Sequence, residues 1–433
     1  MEITVSNAGC SSTEGAGQLG SIPPNARNPG ANATRWIDRM SITSQNMSSY
    51  PTAPHSTGTY TWHQREQALL ASYATFSRHN VQRVYAENLH PTRGPFERDR
   101  DRVLHSAAFR RLSGKMQVFT GEMGDYHRTR LTHTFEVASI ARTIGRALRL
   151  NEDLIEALAL LHDIGHPPFG HCGEDVLDEC LADVGGFSHN KFALTLVEEL
   201  ETRYSSYPGL NLSEIVLNAQ RFRVTKDPLH IPCLEVQVVD AADSIAYNAH
   251  DVDDALKLGL IGWQALRTIE IVKIAETRAR QNSTAAIPAD RQRPALVHAL
   301  IDLQVQDFIR TATERLETCD GLDSQAVRDI GVRISLSDSL GLQRRQLEVF
   351  LFDRVYRHPR LIEVRTHAAQ QLRTLFELFQ KHPERMPLRF QERAARTSLV
   401  QGVGEYLAGM TDRFCRDQYQ AMIHLGYESA PEW

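Results

Sequence analysis

From Tyr60 onward, apolar residues recur three and four positions apart, and runs that alternate apolar with polar residues are scarce. A chain so patterned buries one stripe of each helix, so the expected fold is all-α. Residues 130–150 carry Leu131, Phe135, Val137, Ala138, Ala141, Ile144 and Leu148 on one such stripe. The next expected helix is punctuated at both ends. Asn151 is suited to cap it, Glu152 and Asp153 complement its positive end, and Gly165-His166-Pro167-Pro168 stops it, so that it ends on His162-Asp163. Gly185-Gly186 precedes a further expected helix at 187–203, and Tyr207-Pro208-Gly209 reads as a turn. Residues 234–258 form one long helix closed by Gly259, and 280–294 form a polar, Pro-interrupted loop.

Composition narrows the classes of function. Net charge is −5, so no overall basic excess points to DNA or an anionic membrane. No apolar run approaches the ~18 residues of a membrane span, and the N-terminus lacks the pattern of a secretory signal. The six cysteines are scattered without C-x-x-C pairs and read as reduced thiols, so a cytoplasmic location is expected. Ser, Thr, Asn, Gly and Pro make up more than half of residues 1–58, which leaves little apolar surface to offset ordering entropy. The expected organisation is a disordered tail over 1–58, a catalytic core over 59–270, and a helical C-terminal region over 271–433 packing on that core.

The chemistry concentrates at two places. His162-Asp163 sets an imidazole and a carboxylate at a helix end, where together they can chelate a divalent cation, and the short Pro167-Pro168-Gly170 loop adds His166 and His171. An isolated His-Asp pair is most often a satisfied surface pair, but three imidazoles and a carboxylate so close together are rarely packing residues. The second place is the helix at 234–258, where Asp240, Asp243, Tyr247, Asp251 and Asp254 recur three and four apart on one face. Asp253-Asp254 reads as a solvated acidic face. Asp243 lies among small and apolar neighbours, and a buried carboxylate needs a cation.

These stretches form an ordered series with others: Arg98-Asp99-Arg100-Asp101-Arg102, Ala108-Phe109-Arg110-Arg111-Leu112, Gln117-Val118-Phe119, and Arg128-Thr129-Arg130-Leu131-Thr132-His133-Thr134. The series continues with 162–171, Pro208-Gly209-Leu210-Asn211-Leu212, 245–251 and 405–413. The combination resembles the HD-domain deoxynucleoside triphosphate triphosphohydrolases, the dGTPase-like proteins, over just under half the chain. The resemblance implies one divalent metal ion held by His133, His162, Asp163 and Asp243. Two imidazoles and two carboxylates suit Mn, Fe, Co, Ni or Zn, and Mg less well, so metal identity stays open. It also implies a substrate phosphate on Arg130, and a catalytic dyad of His171 and Glu174 in which the carboxylate orients the imidazole one helical turn away. His166 and His189 face the phosphates in that family, while Gln117, Tyr247 and Asp251 surround the sugar.

The resemblance further implies a dNTP substrate cleaved to deoxynucleoside and inorganic triphosphate, a homo-oligomer for which a hexamer is a family form, and a nucleotide effector. No membrane partner is implied, and nucleic acid is not indicated. The chain departs from the family pattern at Lys115-Met116-Gln117, where Thr is usual for Met116, and at Phe187-Ser188-His189-Asn190, where Glu is usual for Ser188. Residues 260–400 match little, so base preference does not carry over. Two other readings stand beside this one: an HD phosphohydrolase acting on a nucleoside monophosphate or signalling nucleotide, and a nucleotide sensor or single-stranded nucleic-acid binder using Arg98, Arg100, Arg102, Arg110 and Arg111. Interleaved acids favour a salt-bridged helix face for that last segment.

Overall fold

The computed structural model describes residues 60–79, 82–117 and 128–424; the tail expected over 1–58 lies outside the described residues. The described chain is all-α, with no strand and only two isolated bridging pairs, Arg83 with Ser213 and Met116 with Thr129. No helix among the described residues is long and apolar enough to cross a membrane.

The central helix of the described residues is Glu152–Leu161. Asn151 caps it by accepting from the Leu154 N–H at 3.2 Å, and Leu154, Ile155 and Ala157–Leu161 are all buried. A helix apolar on nearly every side must be surrounded, and helices Pro95–Leu104, Arg130–Ala147, Glu214–Thr225 and Leu234–Lys257 pack around it. Its C-terminal end, His162, therefore emerges inside the protein. The region beyond residue 270 packs at two places. Helix Ala289–Leu316 lies on Leu234–Lys257 and on Glu270–Gln281, while Pro359–Lys381 contacts His171–Cys180, Leu399–Ala408 and Asp412–His424.

Several local expectations are corrected. Phe135 is half exposed, off the buried stripe of its helix, where it meets Phe109 edge-on. The helix expected over 187–203 is shorter: it runs from His189 to Thr195 and then widens into a π turn, Leu196–Leu200. The widening ends the helix at Glu201, whose carboxylate accepts from the Ala107 and Ala108 N–H groups at 3.0 and 2.8 Å. The loop expected over 280–294 is shortened because Ala289–Leu316 begins before Pro294. The proline sits in the second turn of the helix, where its missing N–H forgoes a single backbone bond. Asp253 and Asp254 are not a free acidic face, since both are part-buried and paired with Arg128 at 3.0 and 3.4 Å.

The arginines of 98–102 are consumed internally. Arg98 and Arg102 share Glu87 at 2.5 Å each, and Arg100 reaches Asp101, Asp153 and Glu156. That removes the main support for a nucleic-acid surface there.

Candidate metal centre and active-site cleft

Three side chains from three helices converge beside the buried end of Glu152–Leu161. His133 comes from Arg130–Ala147, His162 caps the central helix, and Asp243 comes from Leu234–Lys257; their ligating atoms lie within 4.8 Å of one another. His162 Nδ1 donates to the Ala159 carbonyl at 2.6 Å, so the ring lone pair is on Nε2. That atom is buried and has no hydrogen-bond partner, 3.7 Å from Asp243 Oδ1 and 3.7 Å from Asp163 Oδ1. An orphaned imidazole lone pair facing carboxylates is what a divalent cation would satisfy, and the donor set fits one. His133 Nε2 lies 2.9 Å from Asp243 Oδ1.

Asp163, expected to join them, is placed differently from the other three. Its Oδ2 accepts from Arg130 at 3.0 Å, and its Oδ1 lies 3.0 Å from His166 Nδ1. Arg130 is almost fully buried and thus orients a carboxylate beside the cluster as well as lining the cleft. Asp163 is buried, but the Asp243 side chain is 43% exposed, not buried as its apolar neighbours suggested. Desolvation pushes both carboxyls up, and cationic and imidazole neighbours outweigh it: Asp163 is held well below the usual range and Asp243 at about 2.

The loop after Asp163 carries the second group. Phe169 and Gly170 both have positive φ, and a Cβ on Gly170 would stand 2.9 Å from the Arg130 guanidinium. A Cβ on Gly165 would lie 2.0 Å from the His189 carbonyl oxygen. This close approach lets His166 stack on His189, with ring centroids 3.8 Å apart. His171 and Glu174 open helix His171–Cys180, and Glu174 binds two imidazoles: His171 Nδ1 at 3.2 Å and His189 Nδ1 at 2.7 Å. Burial raises the Glu174 carboxyl, yet these hydrogen bonds hold it well below its ordinary value, so it is ionised. Burial and the Arg130 charge push His166 well below the imidazole range, leaving it neutral.

A cleft of about 940 Å³ connects the two groups. Gln117, Arg130, His162, Asp163, His166, His171, His189, Asp243 and Tyr247 line it, and so do residues that sequence reasoning missed: Asn190, Arg223, Lys226 and Arg333. Lys226 and Arg333 are exposed cations more than a hundred residues apart in sequence, joined where Arg333 donates to the Pro228 carbonyl at 3.0 Å. No local pattern marks them. Asp251 is buried and does not line the cleft. Its carboxyl meets the hydroxyl of Tyr356, which also touches the Tyr247 hydroxyl, and burial pushes Asp251 up to about 8. Tyr356, too, carries no signal in the sequence.

The segments carrying Met116 and Phe169 are tied to the C-terminal region by the Asp412 carboxylate. Asp412 accepts from the Phe169 N–H at 2.9 Å and the Met116 N–H at 3.1 Å, next to a fully buried Lys115 that donates to the His166 and Ala408 carbonyls. Asp412→Ala would orphan the buried Phe169 N–H and the Met116 N–H. A loss on the order of 2–5 kcal/mol of stability is expected in urea unfolding. A loss under about 1 kcal/mol would show that the loops hold their place without it.

Among known families, the HD domain matches residues 130–248, a span that includes His133, His162, Asp163 and Asp243. The phosphohydrolase-associated domain matches 334–421. A deoxyguanosinetriphosphate triphosphohydrolase-like protein of Geobacter sulfurreducens is 40% identical over 373 residues, covering 83% of this chain and 96% of that relative. A relative of the same description from Ralstonia pickettii is 38% identical, with 82% and 94% covered. One from Mesorhizobium japonicum, described as deoxyguanosinetriphosphate triphosphohydrolase-like protein 1, is also 38% identical, with 82% and 95% covered.

Proposed function

The chain belongs to the deoxyguanosinetriphosphate triphosphohydrolase-like family of HD-domain phosphohydrolases, and on that premise we propose that it hydrolyses deoxynucleoside triphosphates to deoxynucleoside and inorganic triphosphate. The observation that carries the reading is the cleft itself, which sets the unpartnered His162 lone pair, the His171–Glu174 pair and the cations Arg130, Lys226 and Arg333 around one space. A divalent cation held by His133, His162, Asp243 and Asp163 would supply Lewis-acid polarisation of the α-phosphate and a more acidic water.

The chain's own groups do the rest. Arg130, Lys226 and Arg333 offset the charge of the triphosphate; a guanidinium already oriented by Asp163 needs no reorganisation to do so. His171 is the exposed member of its group and stands on the cleft wall, with Nδ1 held by an ionised Glu174. Nε2 is then the ring atom that exchanges a proton, either with the attacking water or with the departing 5′ oxygen. His166 and His189 meet phosphate oxygens. Gln117, whose Oε1 is buried without a partner, and Tyr247 surround the sugar, with Asp251 behind them through Tyr356. The chemistry belongs to residues 59–270, with Arg333 and Tyr356 added from 271–433. An exposed apolar row on helix Asp338–Leu351 and the turn after it, Leu342, Val349 and Phe352, supports a homo-oligomer.

The test is product identity. Incubation of the purified protein with each dNTP and Mn²⁺, followed by chromatography, is expected to release intact triphosphate. Release of orthophosphate or pyrophosphate would replace this reading with another phosphohydrolase reaction. Sugar selectivity gives a sharper check. If Tyr247 packs against C2′, a ribose hydroxyl is buried there without a partner at a cost of about 1–3 kcal/mol, or roughly five- to hundredfold in kcat/KM. Tyr247→Ala should narrow the dNTP/NTP ratio of kcat/KM by about that factor. An unchanged ratio in an active variant would remove Tyr247 from the sugar site.

A further inference from the structure

We propose that His250 and Glu136 are positioning residues that hold His133 in the one tautomer able to offer its Nε2 lone pair to a metal, an inference that rests on the metal assignment above.

Protons can be counted along a chain of contacts. Glu136 is held by Arg128 at 2.5 Å, and its carboxylate lies 2.8 Å from His250 Nε2. A carboxylate only accepts, so His250 Nε2 carries the proton. A neutral imidazole protonated there is bare at Nδ1. His250 Nδ1 lies 3.1 Å from His133 Nδ1, and two ring nitrogens at that distance share one proton. With His250 Nδ1 bare, that proton belongs to His133 Nδ1. The lone pair of His133 is therefore on Nε2, 2.9 Å from Asp243 Oδ1, where two electron-rich atoms repel unless a cation lies against both.

Both ends of the relay are built into helices. Glu136 follows His133 by three residues on Arg130–Ala147, so the two share a face. His250 follows Asp243 by seven on Leu234–Lys257, two turns along the same face. Helix packing thus delivers a ligand carboxylate to one side of the His133 ring and the tautomer-setting imidazole to the other. His133 and His250 are both buried, so water does not compete for the shared proton. Without His250, the His133 proton is free to move to Nε2 and bond Asp243, which closes the site to a metal.

The experiment is Mn²⁺ titration of the metal-free, full-length protein against a chromophoric chelator, with metal-free melting temperatures measured in parallel. His250→Leu is expected to weaken Mn²⁺ binding about 10- to 100-fold, the usual scale for partners of metal-bound imidazoles. His250→Asn offers an amide oxygen near the place of Nδ1 and should recover most of that loss. Glu136→Ala, at a half-exposed position that tolerates truncation, should weaken binding several-fold and decides the matter if His250→Leu does not fold. Wild-type affinity in both His250→Leu and Glu136→Ala would overturn the relay. So would a loss in His250→Asn as deep as in His250→Leu, because shape and not the acceptor would then matter. His162→Ala separates the premise from the inference: if it binds Mn²⁺ like wild type, the metal assignment fails, whereas its loss of binding beside an unaffected His250→Leu condemns the relay alone.

Discussion

Asp243→Asn is expected to yield a folded protein that no longer takes up a divalent cation and turns over at least about a hundredfold more slowly. The substitution keeps the shape of the side chain and its contact with His133 Nε2, so the metal-free fold has little reason to change. What it removes is the charge. Asp243 is held at about 2 because the neighbouring His133 and His162 rings outweigh desolvation, and it is ionised throughout the neutral range. An amide oxygen cannot replace that charge beside an unpartnered imidazole. Because a ligand that binds only the native state stabilises it by mass action, wild type should gain about 2.7 kcal/mol at a Mn²⁺ concentration a hundred times its Kd. The variant should gain nothing. Melting curves with and without Mn²⁺, together with metal content after dialysis, measure both. Equal metal-dependent stabilisation of variant and wild type would remove Asp243 from the metal site.

His171→Ala should behave in the opposite way: metal and nucleotide bind as in wild type, while kcat falls by about 10²–10⁴, the usual scale for general acid–base catalysis. The geometry separates the two roles. His171 is the most exposed imidazole of its group, and it meets Glu174 and the neighbouring rings of His166 and His189 rather than His133, His162 or Asp243. The pH profile gives a second readout, since one limb of the kcat profile should vanish with the imidazole. Glu174→Gln should cost less in rate than His171→Ala but disturb two contacts, because the same carboxylate also fixes His189 at 2.7 Å. A parallel fall in metal content and rate in His171→Ala would make it a metal ligand, and the acid–base role would lapse.

Legibility in the sequence falls off with the separation of the residues involved. Short-range features were legible, because helix geometry alone relates their residues. Asn151 as a cap, the end of the central helix at His162, and the i, i+3 pair of His171 and Glu174 all follow from spacing within one or two turns. The family resemblance rested on such local runs, and residues 260–400, where runs were few, stayed unread.

The remainder needed three dimensions. The turn of the Asp163 carboxylate toward Arg130 and His166, the second partner of Glu174, and the ion pairing of Asp253 and Asp254 depend on which neighbour stands closest, and spacing does not rank neighbours. Lys226, Arg333 and Tyr356 reach the site from separate loops and turns whose convergence no periodicity encodes. The sequence by itself determined that the chain is helical, that the His162-Asp163 pair ends a buried helix, and that residues of metal-binding and proton-transferring type sit on helices able to present them. Only the tertiary structure decided which of those residues meet, because helix packing is set by the fit of whole buried faces. A lone pair on His162, a carboxylate eighty-one residues later and a His133 ring turned by His250 become one site only once those faces are in contact.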